Sequence, residues 1–257
     1  MVDISYAQLF LICILLIPII IVFKALEIKQ TKNLMISIAR MFIQLSLVGI
    51  YLKYIFQLDS AFVNVGYATI MVIVATFSCI KSIDMSLKVF WIIFFSIWVA
   101  VLGVTYFFLG VILDETGFSA QYFVPISGMA LGNALKSNII SLNRLLWVLR
   151  EERGKYEYAI ALGATRWEAL KPHIKETLMA STKPTIASIA TIGLVSLPGM
   201  MTGQILGGSF PTVAIKYQIA VMILILSSDF YSVFLNIYMG VKVFFDGYDR
   251  PKSKYFK

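Results

Sequence analysis

Seven stretches of this chain are each long and apolar enough to cross a lipid bilayer, and nothing else in the sequence restricts the fold as tightly. Spanning about 30 Å of hydrocarbon takes roughly 20 apolar residues. The runs fall at about 4–23, 35–56, 61–80, 89–112, 122–148, 184–206 and 213–240. In hydrocarbon, water cannot satisfy backbone N–H and C=O groups, so such runs must close their hydrogen bonds as helices. Of 257 residues, 59% are hydrophobic and 14% charged. A soluble domain cannot hide that much apolar surface. The sequence therefore predicts an all-α integral membrane protein, with 1–257 forming a single transmembrane domain. The first run is not read as a cleaved leader, because it is long and its start carries Asp3 and no Lys or Arg.

An odd number of spans puts the termini on opposite sides. With the N-terminus outside, the inner segments are 24–34, 81–88, 144–183 and 242–257, and they hold eighteen of the 22 Lys and Arg. The outer segments hold only Lys53 and Lys216, while Arg40 and Lys136 lie within spans. Basic residues accumulate on the cytoplasmic side, so the C-terminus is expected there. The same asymmetry accounts for the net charge of +8 without a nucleic-acid partner. Cys13 and Cys79 sit in separate apolar runs and read as buried side chains. The single His173 has no Cys or His neighbour to form a metal site.

One segment on the basic side does not belong to the membrane pattern. Glu157-Tyr158-Ala159-Ile160-Ala161-Leu162-Gly163-Ala164-Thr165 runs a helix into a glycine stop, and Thr165-Arg166-Trp167-Glu168 starts another as a capping box. Gly163 can take the left-handed conformation that closes the first helix. The expectation is a cytoplasmic helix-turn-helix between the fifth and sixth spans: two short helices about a sharp corner, suited to a groove on a partner protein. No Gly-x-x-x-x-Gly-Lys-Ser/Thr occurs anywhere in the chain. If ATP is used, another subunit must bind it.

Within the spans, polar residues cluster. In the fifth, Met129, Asn133, Lys136, Ile140 and Asn143 share one helix face, and Gly128 and Gly132 form a small-x-x-x-small pair that admits a close neighbour. A lysine at membrane depth must face a partner, a cavity or water. This face either lines a path or glues helices together. Arg40 and Gln44 lie one turn apart near the inner end of the second span, where arginine can snorkel to lipid phosphates. Asp229 is the one acid well inside a span, and it must pair, take a proton or bind a cation. In the sixth span, Pro198-Gly199 should kink or break the helix, freeing carbonyls beside Met200, Met201 and Gln204. Oxygen and thioether donors there suit a cation; paired methionines equally suit packing.

These segments carry a resemblance. Glu157, Ala159, Leu162, Gly163, Ala164 and Thr165 resemble the coupling loop of ABC transporter permeases, with a departure at Tyr158 where that pattern has Ala. Arg40-Met41-Phe42-Ile43-Gln44-Leu45, Val124 through Met129 with Gly132-Asn133-Ala134, Gly193 through Gly203 and Ala214 through Ile219 resemble the FetB-type permeases, the bacterial iron exporters and the plant aluminium-tolerance permeases similar to them. The resemblance implies a permease in the plasma (bacterial inner) membrane that works as a homodimer with a separate ABC ATP-binding subunit. ATP and magnesium would sit on that partner, with no cofactor on this chain. It implies export of iron or another metal cation, or alternatively of an organic solute such as a sugar nucleotide. Glu157, Tyr158, Ala159, Leu162, Gly163, Ala164 and Thr165 would contact the ATPase. Asn133, Lys136, Pro198, Gly199, Met200, Met201, Gln204 and Asp229 are the candidates for the substrate path.

Two other classes of function fit poorly. An intramembrane enzyme needs a reactive constellation, and the spans contain no His-Glu-x-x-His, no histidine and no acid pair in neighbouring spans. A structural scaffold needs neither a capped corner nor a broken span.

Overall fold

The structure is a computed structural model describing residues 5–113, 119–247, 249, 250 and 252. Asp3 and Lys257 lie outside the described residues. The chain divides into two compact units, Met1–Leu58 and Asp59–Lys257.

The first unit is helical. α1 (Tyr6–Leu11) passes through a 3-10 turn (Ile12–Leu16) into α2 (Ile17–Ala25). Pro18 explains the tightening, because it cannot donate the bond that a continuous α-helix would need at that point. Ser5 and Gln8 close a capping box at the start of α1. α3 (Thr31–Leu58) is unbroken over 28 residues, about 42 Å at 1.5 Å per residue. Arg40 and Gln44 are both exposed on α3.

The second unit contains α4 (Ala61–Ser82), α5 (Phe90–Phe107), α6 (Ala120–Glu151), α7 (Arg153–Ala161), α8 (Arg166–Thr191), α9 (Gly199–Leu206) and α10 (Pro211–Phe244). α10 packs against α5, α6 and α8, and α6 also packs against α4. Apolar residues at helical spacing supply this core: Val221, Leu224, Ile225, Val233 and Ile237 of α10 and Ile93, Ile97 and Val101 of α5 are all buried. Polar stitches fix the register. Trp98 Nε1 donates to Thr69 Oγ1 at 3.0 Å, and the Ala120 amide donates to Asp59 Oδ1 at 2.6 Å.

Five helical segments among the described residues are long and apolar enough to cross a membrane: Gln8–Ala25, Thr31–Leu58, Ala61–Ser82, Leu87–Ile112 and Pro211–Phe244. They coincide with five of the seven expected runs. The expected fifth run falls on α6, which is long enough at 32 residues but more polar. The expected sixth is divided between the end of α8, a non-helical stretch and α9. This break differs from the sequence expectation in place and cause. α8 ends at Thr191, seven residues before Pro198, and Gly193 turns the chain at φ +85°. Pro198 then serves as the N-cap of α9, with Gly199 its first residue. The proline starts a helix here; it does not kink one.

Candidate functional site

The capped corner forms as its residues dictate, although its second arm is 26 residues long. Gly163 takes φ +92°. Its amide donates to Ile160 O at 2.9 Å, and the Ala164 amide donates to Ala159 O at 3.1 Å, the paired bonds of a Schellman closure. Thr165 then caps α8, and the Glu168 carboxylate accepts from the Thr165 amide at 2.8 Å and from its hydroxyl at 2.6 Å. Those two donors, hydroxyl first, hold the Glu168 carboxyl below the usual carboxylate range. Tyr158 and Leu162 are 68% and 71% exposed, so the corner presents uncovered large side chains. Glu157 is paired with Arg153 at 2.7 Å on the exposed side of α7. His173, which looked isolated in sequence, sits 3.3 Å from Glu152, itself held below the usual carboxylate range chiefly by its hydrogen bond from Lys155.

Between the helices lies a polar seam that sequence reasoning largely missed. Asn138 Nδ2 donates to Ser232 Oγ at 2.9 Å, and Asn236 Nδ2 donates to Asn138 Oδ1 at 2.9 Å. All three side chains are buried. Asp229 is fully buried one turn away; Thr185 Oγ1 donates to its Oδ2 at 2.7 Å. Its Oδ1 has no hydrogen-bond partner. No direct ion pair joins Asp229 to Lys136 in this conformation. The available signal was spacing: Ile225, Asp229, Ser232, Asn236 and Gly240 recur every three or four residues on α10, and Thr177, Ser181, Thr185 and Ser188 do so on α8.

Beside the seam is a cavity of about 400 Å³. Asn133, Lys136 and Ser137 of α6, Ser181, Thr185 and Ser188 of α8, and Ser196 and Pro198 of the break line it. The structure thus brings parts of all three predicted path spans to one space, Met222 and Ile225 of α10 included, with Asp229 behind its wall. Lys136 is exposed, as are Gly132, Ile140 and Asn143, so the polar face of α6 opens outward from the bundle. The Gly128 and Gly132 pair meets no neighbour there: a Cβ at either would touch nothing within 4 Å.

The thioethers lie elsewhere. Met201 lines a second, mostly apolar cavity of about 530 Å³ with Gly193, Leu197, Pro198 and Met222. Met200 and Gln204 lie half-buried on α9, with Gln204 Oε1 buried and unpartnered. Among the described residues no group of three or more His, Cys, Asp or Glu is placed to hold a metal ion. The cavity chemistry is one ammonium, several hydroxyls and one carboxyl out of direct reach.

The chain is 33% identical over 233 residues to Protein ALUMINUM SENSITIVE 3 of Arabidopsis thaliana, covering 88% of this chain and 84% of that one. It is 32% identical over 244 residues to the Probable iron export permease protein FetB of Escherichia coli, covering 95% and 93%. It is 34% identical over 216 residues to the UPF0014 membrane protein STAR2 of rice, covering 84% and 75%. No solved structure matches. Residues 6–245 match the Uncharacterised protein family (UPF0014), and with these relatives the chain is plainly a multi-pass membrane protein of the UPF0014 family, to which the FetB-type permeases are similar throughout.

Proposed function

We propose that this chain is the permease subunit of an ATP-binding cassette exporter for iron or another metal cation. It works as a homodimer with a separate ATPase subunit in the plasma (bacterial inner) membrane. The observation that carries the reading is the capped corner of Glu157–Thr165, which projects Tyr158 and Leu162 uncovered from a chain that has no phosphate-binding loop. The corner docks on the ATPase. Seven crossings, with α6 as the fifth and the broken α8–α9 segment as the sixth, place it in the cytoplasm with the C-terminus, in keeping with the basic charge there. The outward polar face of α6 supports the homodimer. Lipid cannot solvate Asn133 and Lys136, so a second copy and a wet path must cover them. That path runs past Asn133, Lys136, Pro198, Gly199, Met200, Met201, Gln204 and Asp229.

A specific observation favours a second reading, export of an organic solute such as a sugar nucleotide. The polar cavity offers hydroxyls, an amide and an ammonium and no set of metal ligands. One experiment separates these. The chain is purified with an ABC ATPase subunit in lipid vesicles, and ATP hydrolysis is measured against a panel of metal cations and of anionic solutes. Stimulation by a metal supports the first reading, and stimulation by a solute alone supports the second. An ATPase that neither co-purifies nor responds would sink both.

A further inference from the structure

The segment after α10 does not trail away from it. The Asp246 amide donates to Arg250 O at 2.9 Å, the Arg250 amide donates to Asp246 Oδ1 at 2.7 Å, and the Lys252 amide donates to Phe244 O at 2.7 Å. These bonds hold Asp246, Arg250 and Lys252 back against the end of α10 as a hook. Asp249 stands in it at φ +59°, a left-handed conformation that Asp adopts more readily than most residues.

Both arms of the corner hold this hook. From α8, Arg166 Nε and Nη2 reach Asp249 Oδ1 at 2.6 and 2.5 Å. Nη2 also donates to Asp246 O at 2.9 Å and Nη1 to Val241 O at 3.3 Å, while the guanidinium lies 5.2 Å from the Phe245 ring centre. From α7, the buried Tyr156 donates its hydroxyl to Asp249 O at 2.8 Å and packs its ring 5.3 Å from Phe245. Burial, then the Asp249 charge, pushes the Tyr156 phenol up to about 12, so it remains a donor at any working pH. Charge-assisted bonds that converge on one residue are both strong and geometrically selective.

We propose that this hook is the mechanical link between the corner and the cavity, with Arg166, Tyr156 and Asp249 as positioning residues. The inference rests on the reading of the corner as the ATPase contact. Two routes lead from the corner to the cavity wall. Along α8, Pro172 interrupts the hydrogen-bond ladder before the cavity residue Ser181, and Pro184 does so again before Thr185, which softens that helix. Along α10, no proline lies between Phe244 and the cavity residues Met222 and Ile225, and Asp229 rides on the same helix. Arg166 grips the last turn of α10 at Val241 O, where helix polarity favours a cation. The stiffer rod is therefore the one the hook ties to the corner. A displacement of the corner is passed to α10 and moves the Asp229 wall.

The test measures substrate transported per ATP hydrolysed, with the full chain and its ATPase subunit in vesicles and the stimulating metal or solute as probe. Arg166→Asp and Asp249→Arg should each lower the ratio at least tenfold while the ATPase subunit still co-purifies. Parental coupling in either single variant overturns the link. If the charge reversals reduce membrane expression, Tyr156→Phe decides, because it removes only one hydroxyl. A loss of about threefold is expected, and the parental ratio overturns the proposal. A parental chain that binds no ATPase subunit overturns the reading of the corner and the link with it. A parental complex that couples as well as all its variants overturns the link alone.

Discussion

Substitutions at Gly163 isolate the geometry of the corner from its contacts. Its φ is +92°, and a Cβ built there meets nothing within 4 Å. The Cβ itself meets no neighbour, so the penalty of an alanine comes from the backbone. A left-handed residue with a Cβ costs about 1–2 kcal/mol, and a β-branched one stands at the upper end of the roughly 1–3 kcal/mol range for such strain. Asn is the most tolerant non-glycine residue in that region. At about 1.4 kcal/mol per factor of ten, a cost of about 2 kcal/mol lowers the population of the native corner about 30-fold relative to alternatives. The order expected for substrate-stimulated ATPase is Gly163, then Asn, then Ala, then Val. Membrane expression and the thermal stability of the bundle should stay close to parental, because the strain relaxes locally. Stimulated ATPase with purified vesicles reads the order, and amide exchange at Ala164 and Thr165 reads the corner directly. Parental coupling in Gly163→Val would refute the claim that the left-handed turn matters. An Ala variant as damaged as Val with no change in amide exchange would show that contact, not backbone geometry, is what Gly163 supplies.

Four further outcomes are expected. Asn138→Leu removes two bonds across α6 and α10 and should cost about 1–3 kcal/mol on the scale of interhelical bonds in membranes. Thermal unfolding in detergent should show N138L with N236L costing less than the sum of the singles, because the orphaned partner is removed too. Pro198→Ala should leave the break in place, whereas Gly193→Ala should strain it, since φ +85° belongs to Gly193; spin-label distances across 190–200 distinguish the two. The capping box should weaken only in acid. The Glu168 pKa is lowered on folding, so its contribution is full above the usual carboxylate pKa of about 4.3 and is lost as pH falls through the lower folded value; exchange at the first amides of α8 between neutral and acid pH reads this. Lys136→Met should raise metal-stimulated ATPase and depress stimulation by an anionic solute, and the opposite pattern would contradict the placement of Lys136 on the path.

The corner was legible because its chemistry is local. Gly163, Thr165 and Glu168 each act within four residues, and a Schellman closure followed by a capping box follows from their identities alone. The apolar runs were legible for the same reason that hydropathy works, since hydrocarbon leaves helices as the only outlet for backbone polarity. The break was half legible. Pro198 drew attention because proline is conspicuous, but a proline whose missing donor is one of the orphans of a helix start costs nothing there, and the turn belongs to Gly193. The polar seam was hidden because Asn138 and Asn236 are far apart in sequence and each alone is an ordinary amide in an apolar helix. Only the packing of α6 on α10 makes them partners. The hook was hidden for a similar reason: Arg166 sits in the capping box by sequence, and its partner Asp249 lies 83 residues further on.

Charge placement in the cavity ties these observations to transport. At an effective dielectric near 20 and a separation of about 6 Å, an ammonium repels a monovalent cation by about 3 kcal/mol and a divalent one by about twice that. Lys136 on the wall is therefore a barrier to a bare metal ion unless Asp229 offsets it. Asp229 is fully buried behind Thr185, so in this conformation it cannot do so at contact distance. A cation exporter built on these helices needs a second arrangement in which the carboxyl reaches the cavity, and α10 is the element that would have to move. A carrier of anionic solutes needs no such rearrangement, because Lys136 and the surrounding hydroxyls already face the space. The two readings of the substrate thus differ in what α10 must do, and α10 is the helix whose end the corner holds through Arg166 and Asp249.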